Sequence, residues 1–254
     1  MTTCDFSFAH YRRILQTAIK SGYKFIRFDE LRDLPRGQKA CVLRHDVDYL
    51  PEHAPFLSEI ELSLGIRATY FFQICARTYN LREAMNYRIV RDLKRAGHTI
   101  GLHFDMTWDA DAKWDEFPKI CRREQVLFEK ITGVRPCKIV SHHNPHRFTA
   151  QVLNSVTPGM RHTYEPQFFS KIKYLSDSQG WYEGCMCKIF AAAKYPRIQL
   201  CTHPYIWSKK PQKDFIGDMT RLIRRRSDEL LEYCITYHPV CKKNEARLRR
   251  EVQR

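Results

Sequence analysis

With 254 residues, 43% hydrophobic and 28% charged, the chain has the apolar material for a sizeable core and ordinary globular composition, which excludes a disordered or low-complexity protein. No run of about 18 apolar residues occurs and the N-terminus carries no signal-type apolar core, so a cytoplasmic protein is expected rather than an exported or membrane-spanning one. The formal net charge of +15 favours acidic partners: nucleic acid, an anionic membrane surface at its periphery, or phosphate-bearing sugars.

In chain order, short apolar or β-branched runs alternate with helical periodicities. Strands are predicted at 23–28, 40–46, 67–74, 98–104, 137–142, 173–178, 197–203 and 234–238. Helices are predicted over 8–21, 55–64, 81–96, 112–131 and 215–233, several closed by a glycine (Gly22, Gly65, Gly97, Gly133). The segment 149–172 reads as an irregular excursion over one face. Strand–helix alternation implies an α/β fold with a largely parallel sheet, open or closed into a barrel. One domain over 1–240 is expected, followed by a basic tail at 241–254.

Ten cysteines are scattered through apparent core segments, which fits a reducing compartment. Cys185 and Cys187 form the one close pair; a lone CxC is a weak metal signal, and idle or buried thiols are the expected reading. From Arg221 to Arg254 ten Lys/Arg stand against five Asp/Glu, but Leu222, Ile223, Leu230 and Leu231 mark one helix face, so the arginines read as its wet side. No zinc-finger or RNP-type pattern accompanies them, and no nucleic-acid partner is expected.

The predicted strands share an unusual ending. Asp46 and Asp48, His103 and Asp105, His142 and His143, Asp177, His203 and His238 all fall at or just past the ends of apolar runs. In parallel α/β architectures those ends gather at one face, which is where active sites lie. Along an extended 44–48, Arg44, Asp46 and Asp48 share one side, with His45 and Val47 on the other. His45 reads as structural, and Asp105 as a partner for a neighbouring histidine. Two carboxylates that close raise each other's pKa unless a cation intervenes. A carboxylate with two imidazoles suits zinc and leaves a position open for water.

"LRHDVDYLPEHAPFLSEIELSLGIRATYFFQI", "GHTIGLHFD", "GVRPCKIVSHHNP", "YLSDSQGWY" and "THPYIW" follow one another over roughly 40–207. Together they resemble the polysaccharide deacetylase superfamily (NodB-homology, carbohydrate esterase family 4), in its divergent branch marked by RHDVD. The resemblance implies a distorted (β/α) barrel of about seven parallel strands and one divalent metal, most often zinc. It implies Asp46 as the base and Asp48 as a metal ligand, one residue later than in the usual family motif. His103 is the next ligand, but Thr107 stands where a second histidine would be. His142 is the candidate third ligand, with His143 the alternative. The resemblance also makes His203 the general acid and places Asp177 in the pocket. Asp177 would orient one of these groups, and Arg44 would brace Asp46 through a bidentate contact.

Trp108, Trp181, Tyr182, Tyr205 and Trp207 flank the motifs; Trp181 and Tyr205, with His143, are the candidate sugar contacts. The implied function is metal-dependent carbohydrate deacetylation of a cytoplasmic precursor, a nucleotide-sugar or lipid-linked glycan, as in surface polysaccharide or O-antigen assembly. Two other readings stay open: a hydrolase of a non-carbohydrate amide or ester, and a degenerate non-catalytic member that binds glycan or a partner enzyme.

Overall fold

The structure is a computed structural model that describes residues 5–74, 76–107, 113–178, 180, 184–210 and 215–252. The chain divides into two compact units, Met1–Lys209 and Lys210–Arg254, so the break falls earlier than the position near 240 expected from the sequence.

The first unit runs α1 (Phe8–Lys20), β1 (Lys24–Ile26), β2 (Ala40–Val47), α2 (Ala54–Ser63), β3 (Thr69–Phe72), α3 (Ala84–Arg95), β4 (Thr99–Asp105), α4 (Phe117–Thr132), β5 (Ile139–His143), α5 (Thr149–Val152), β6 (Arg161–His162), β7 (Lys173–Ser176), α6 (Met186–Ala192) and β8 (Arg197–Thr202). Every strand pairing is parallel, in the order β6-β5-β4-β3-β2-β8-β7, with β1 added beside β2. Glycine closes helices as expected: Gly133 (φ 69°) takes the left-handed conformation at the end of α4, its N–H bonded to the Glu129 carbonyl at 2.8 Å. The excursion at 149–172 contributes the two-residue strand β6.

The sheet is curled. In a flat sheet β2 and β5 would lie three strand spacings apart, about 14 Å. Yet Ser141 Oγ of β5 donates to Asp46 Oδ2 of β2 at 2.9 Å. Closure nearly reaches the ends, because Gln199 Nε2 of β8 donates to the Thr163 and Phe168 carbonyls just beyond β6, at 3.1 and 2.5 Å. The expected distorted (β/α) barrel is thus present, with β6 and β7 as the ends of the strand order.

Strand β2 is buried along its whole length, and its inward residues grade from apolar to charged. Val42 joins Phe28, Leu31, Phe71, Ile139, Phe168 and Ile172 in an apolar floor. Arg44 follows in the middle, then Asp46 and Asp48 at the mouth.

The outward face of β2 explains His45. Its ring stacks on Tyr70 (4.2 Å between centroids), Nδ1 lies 2.6 Å from Thr202 Oγ1, and Nε2 lies 2.7 Å from Glu61 Oε1. Glu61, fully buried on α2, also accepts from the hydroxyls of Tyr11 (2.5 Å) and Tyr70 (3.0 Å). Its carboxyl is held below the usual range; burial opposes this, but His45, His98 and the hydroxyl donors outweigh it.

His98 sits beside this network and is held neutral, burial pushing it down to about 4. Its Nδ1 accepts the Ala68 N–H at 3.2 Å, a contact that protonation would break. Burial also pushes His162 down to about 4. For both, the folded pKa lies below the ordinary 6.5, so the unfolded chain takes up the proton first as pH falls. Their stabilisation is complete above about 6.5 and is lost progressively towards about 4. Urea titrations at pH 7 and pH 5 should therefore differ by about 1–2 kcal/mol per histidine, with lower stability at pH 5. A stability independent of pH across that window would refute this assignment.

The second unit holds α7 (Phe215–Tyr237), α8 (Pro239–Lys243) and α9 (Glu245–Val252). The strand expected at 234–238 is instead the end of α7. Cys234 and Ile235 continue the helical stripe of Leu230 and Leu231, and the His238 N–H bonds back to the Cys234 carbonyl at 2.9 Å. Five residues, Cys234 to His238, were too short a window to show that period, and Pro239 stops the helix. His238 therefore does not end a strand. The basic tail is helical, with Arg249 paired to Glu232 (2.7 Å) and Glu245 (2.8 Å). Among the described residues no helix is long and apolar enough to cross a membrane.

Candidate active site

Because all strands are parallel, their C-terminal ends open on one side, and the polar residues there converge. The order of the inward positions decides which ones meet. On β5, Ser141 and His143 alternate inward, while His142 points out towards Phe104 (6.0 Å) and His162 (5.1 Å). On β4, His103 is paired in register with Ser141 and faces the same way.

The donors that gather are Asp48, His103 and His143, whose ligand-type atoms all lie within 4.8 Å of one another. His103 Nε2 and His143 Nδ1 both lie 2.9 Å from Asp48 Oδ1, and 3.3 Å from each other. The candidate third ligand His142 is not in this group, and the alternative, His143, is. The pleat is the reason: one residue along a strand reverses the side-chain direction. His142 is buried with neither ring nitrogen hydrogen-bonded, and burial holds it neutral, well below its ordinary pKa.

The donor chemistry fits a cation. His103 Nδ1 lies 3.1 Å from the Ser141 carbonyl and must donate to it, so in the neutral ring Nε2 is a lone pair directed at a carboxylate oxygen, itself an acceptor. A histidine whose other nitrogen is fixed by a carbonyl is the usual arrangement at a metal. A proton can fill the same place; burial would raise the Asp48 carboxyl, but the two imidazoles outweigh it and hold it far below the carboxylate range. His143 shifts upward for the reciprocal reason, Asp48 overcoming the effect of burial.

Asp46 is held asymmetrically. Its Oδ2 accepts from Arg44 (3.1 Å), Ser141 (2.9 Å) and the Cys201 thiol (3.6 Å), while Oδ1 has no hydrogen-bond partner. The brace from Arg44 is through one nitrogen, not the expected bidentate contact. The other terminal nitrogen of Arg44 is used on Gln199 Oε1 (3.0 Å), and the guanidinium lies over the Tyr164 and Tyr174 rings at 4.9 and 5.6 Å. Burial would raise the Asp46 carboxyl, yet Arg44, with His103 and His203, keeps it below the usual value.

His203 closes the other side. Its Nδ1 lies 2.6 Å from Asp177 Oδ1, and its Nε2 lies 3.7 Å from Asp48 Oδ2. Asp177 is fixed in turn by the His203 backbone N–H (3.0 Å) and the Trp207 indole N–H (2.9 Å). Although burial opposes the charge, Asp177 raises His203 to about 9. Trp207 is thus a buried positioning group rather than a sugar platform. Tyr205 is only 6% exposed, its ring met edge-on by Tyr49 at 4.7 Å. Asp105 accepts from the Thr107 N–H and hydroxyl at 2.8 Å, closing a local turn, and its charge adds to the upward shift of His143, its register partner on β5. Trp108, Trp181 and Tyr182 lie outside the described residues.

Ser141, Cys201, Gln199 and Tyr164 were not anticipated. Alternation would have found three of them: Ser141 stands two residues before His143, and Gln199 and Cys201 share one face of β8.

No protein-family model matches the sequence, and no curated protein matches it. Among solved structures, the chain is similar to the chitin deacetylase from the fungal pathogen Colletotrichum lindemuthianum, at 15% identity over 73% of this chain and 81% of that one, TM-score 0.41. It is also similar to the Streptococcus pyogenes deacetylase PplD in complex with acetate, at 12% identity over 82% and 86% of the two chains, TM-score 0.43. A third is wild-type BA3943, a CE4 family pseudoenzyme from Bacillus anthracis, at 14% identity over 75% of this chain and 61% of that one, TM-score 0.43.

Proposed function

We propose that the protein is a metal-dependent hydrolase that removes an acyl group from a sugar, with Asp48, His103 and His143 as the metal ligands. The observation that carries this reading is the convergence of those three donors beside a carboxylate with one uncommitted oxygen. A divalent cation such as zinc, bound there, supplies Lewis acidity that lowers the pKa of a water and polarises an acyl oxygen. Asp46 Oδ1 accepts the proton of the attacking water, because Oδ2 is already fully engaged. His203 is protonated at neutral pH and gives its Nε2 proton to the departing amine or alkoxide, while Asp177 keeps the ring in place. The motif order 40–207 supports carbohydrate as the substrate class, and the net charge of +15 suits a diphosphate-bearing one, a nucleotide-sugar or a lipid-linked glycan.

The test is acetate release from a panel of N-acetylated sugars and nucleotide-sugars by chelator-treated and zinc-reloaded protein. Release should depend on the metal. Asp46→Asn should keep the metal and lose roughly 10²–10⁴-fold in rate, the usual contribution of a general base. Metal-loaded protein inactive on every member of the panel would favour the non-catalytic reading.

A further inference from the structure

A second cluster with metal-binding chemistry lies away from the barrel mouth. His10 in the first turn of α1 meets Cys185 and Cys187 at the start of α6, their ligand atoms all within 4.8 Å. His10 Nε2 lies 3.1 Å from Cys185 Sγ and 3.4 Å from Cys187 Sγ. The ring's Nδ1 is hydrogen-bonded to the Asp5 carbonyl and must donate there, so Nε2 presents its lone pair to both sulfurs.

That one lone pair faces two sulfurs at once, an arrangement that a cation shared by all three accounts for. With Zn–S near 2.3 Å and Zn–N near 2.0–2.1 Å, ligand atoms around a tetrahedral zinc stand about 3.5–3.8 Å apart. The two nitrogen–sulfur separations, 3.1 and 3.4 Å, fall short of that range by a few tenths of an ångström, so the three side chains need only spread slightly to admit the ion. The donor set is also held in place. Ser7 caps α1 by accepting the His10 N–H (3.1 Å), the 6–8 segment is tied to Ser208 by two backbone bonds of 3.1 Å, and the Cys187 N–H points at Cys185 Sγ (3.4 Å). His10 and Cys185 are buried.

We propose that His10, Cys185 and Cys187 bind one soft divalent cation, with zinc the natural candidate, leaving a fourth position open. Binding displaces the thiol protons and fastens α1 to the start of α6. The fastening lies next to Trp207, whose ring centroid is 6.2 Å from that of His10 and whose indole N–H holds Asp177. This site is independent of the deacetylase reading.

Cobalt(II) titration of the reduced, metal-stripped full-length protein tests it, because only thiolate ligands give a sulfur-to-cobalt charge-transfer band in the near ultraviolet. Two equivalents, one for each proposed site, should produce the band in the wild type and in Cys201→Ser, which removes the thiol that lies among the mouth donors. Cys187→Ser should weaken the band and Cys185→Ser/Cys187→Ser should abolish it, with the far-ultraviolet circular dichroism retained. A reduced wild type that gives no band overturns the proposal. So does a band that survives in the double variant, or protein that, as purified, carries a Cys185–Cys187 disulfide and no metal.

Discussion

His143→Ala should lower zinc affinity at the barrel mouth by more than about 100-fold, beyond the range for loss of a merely supporting residue. The measurement is best made in a Cys185→Ser/Cys187→Ser background, so that the mouth alone is counted. The adjacent His142→Leu should leave zinc affinity within a few-fold of the parent. It should also be neutral to stabilising, since it replaces a buried ring whose two nitrogens have no hydrogen-bond partner with an apolar side chain. This contrast between neighbours separates a metal centre from a general histidine-rich surface. Equal losses in the two variants would sink the assignment of His143 over His142.

Glu61→Ala should destabilise the first unit by about 3–5 kcal/mol, the range for stripping one partner from a buried charged network. The change leaves the Tyr11 and Tyr70 hydroxyls and the His45 ring without their shared acceptor, all of them buried. Glu61→Gln should lose less, because the amide oxygen still accepts from one of the hydroxyls. Urea unfolding of the three proteins would show the order wild type, Gln, Ala. A loss below about 1 kcal/mol for the alanine variant would mean that the carboxylate is not the organising acceptor.

Much of this fold was legible in the sequence because its signals are local. The apolar runs at 40–46, 98–104 and 197–203 are short and bounded, and helices α3 and α4 between them are periodic over three turns or more. The convergence of strand ends also followed from parallel topology alone. What failed was whatever needed a register or a longer window. The strand expected at 234–238 was a fragment of a 23-residue helix whose period five residues cannot display. The choice between His142 and His143 needed the inward face of β5, which Ser141 fixes through a contact to Asp46, 95 residues away. The meeting of His10 with Cys185 and Cys187 joins positions 175 and 177 residues apart, and nothing local announces it.

Gln199 gives the barrel a keystone. Its amide oxygen takes Arg44 and its amide nitrogen takes the Thr163 and Phe168 carbonyls, so both ends of one planar group are committed and a flip would break all three contacts. Mechanically, the seam between the two ends of the strand order and the aim of Asp46 are linked through Gln199 and Arg44. A loop insertion near 163–168 would therefore register as a change in the tilt of the base, passed on through Gln199 and through Tyr164, whose hydroxyl takes the Arg44 guanidinium at 3.1 Å. Variation along that seam is a means of retuning the proton acceptor without altering a single residue of the RHDVD segment.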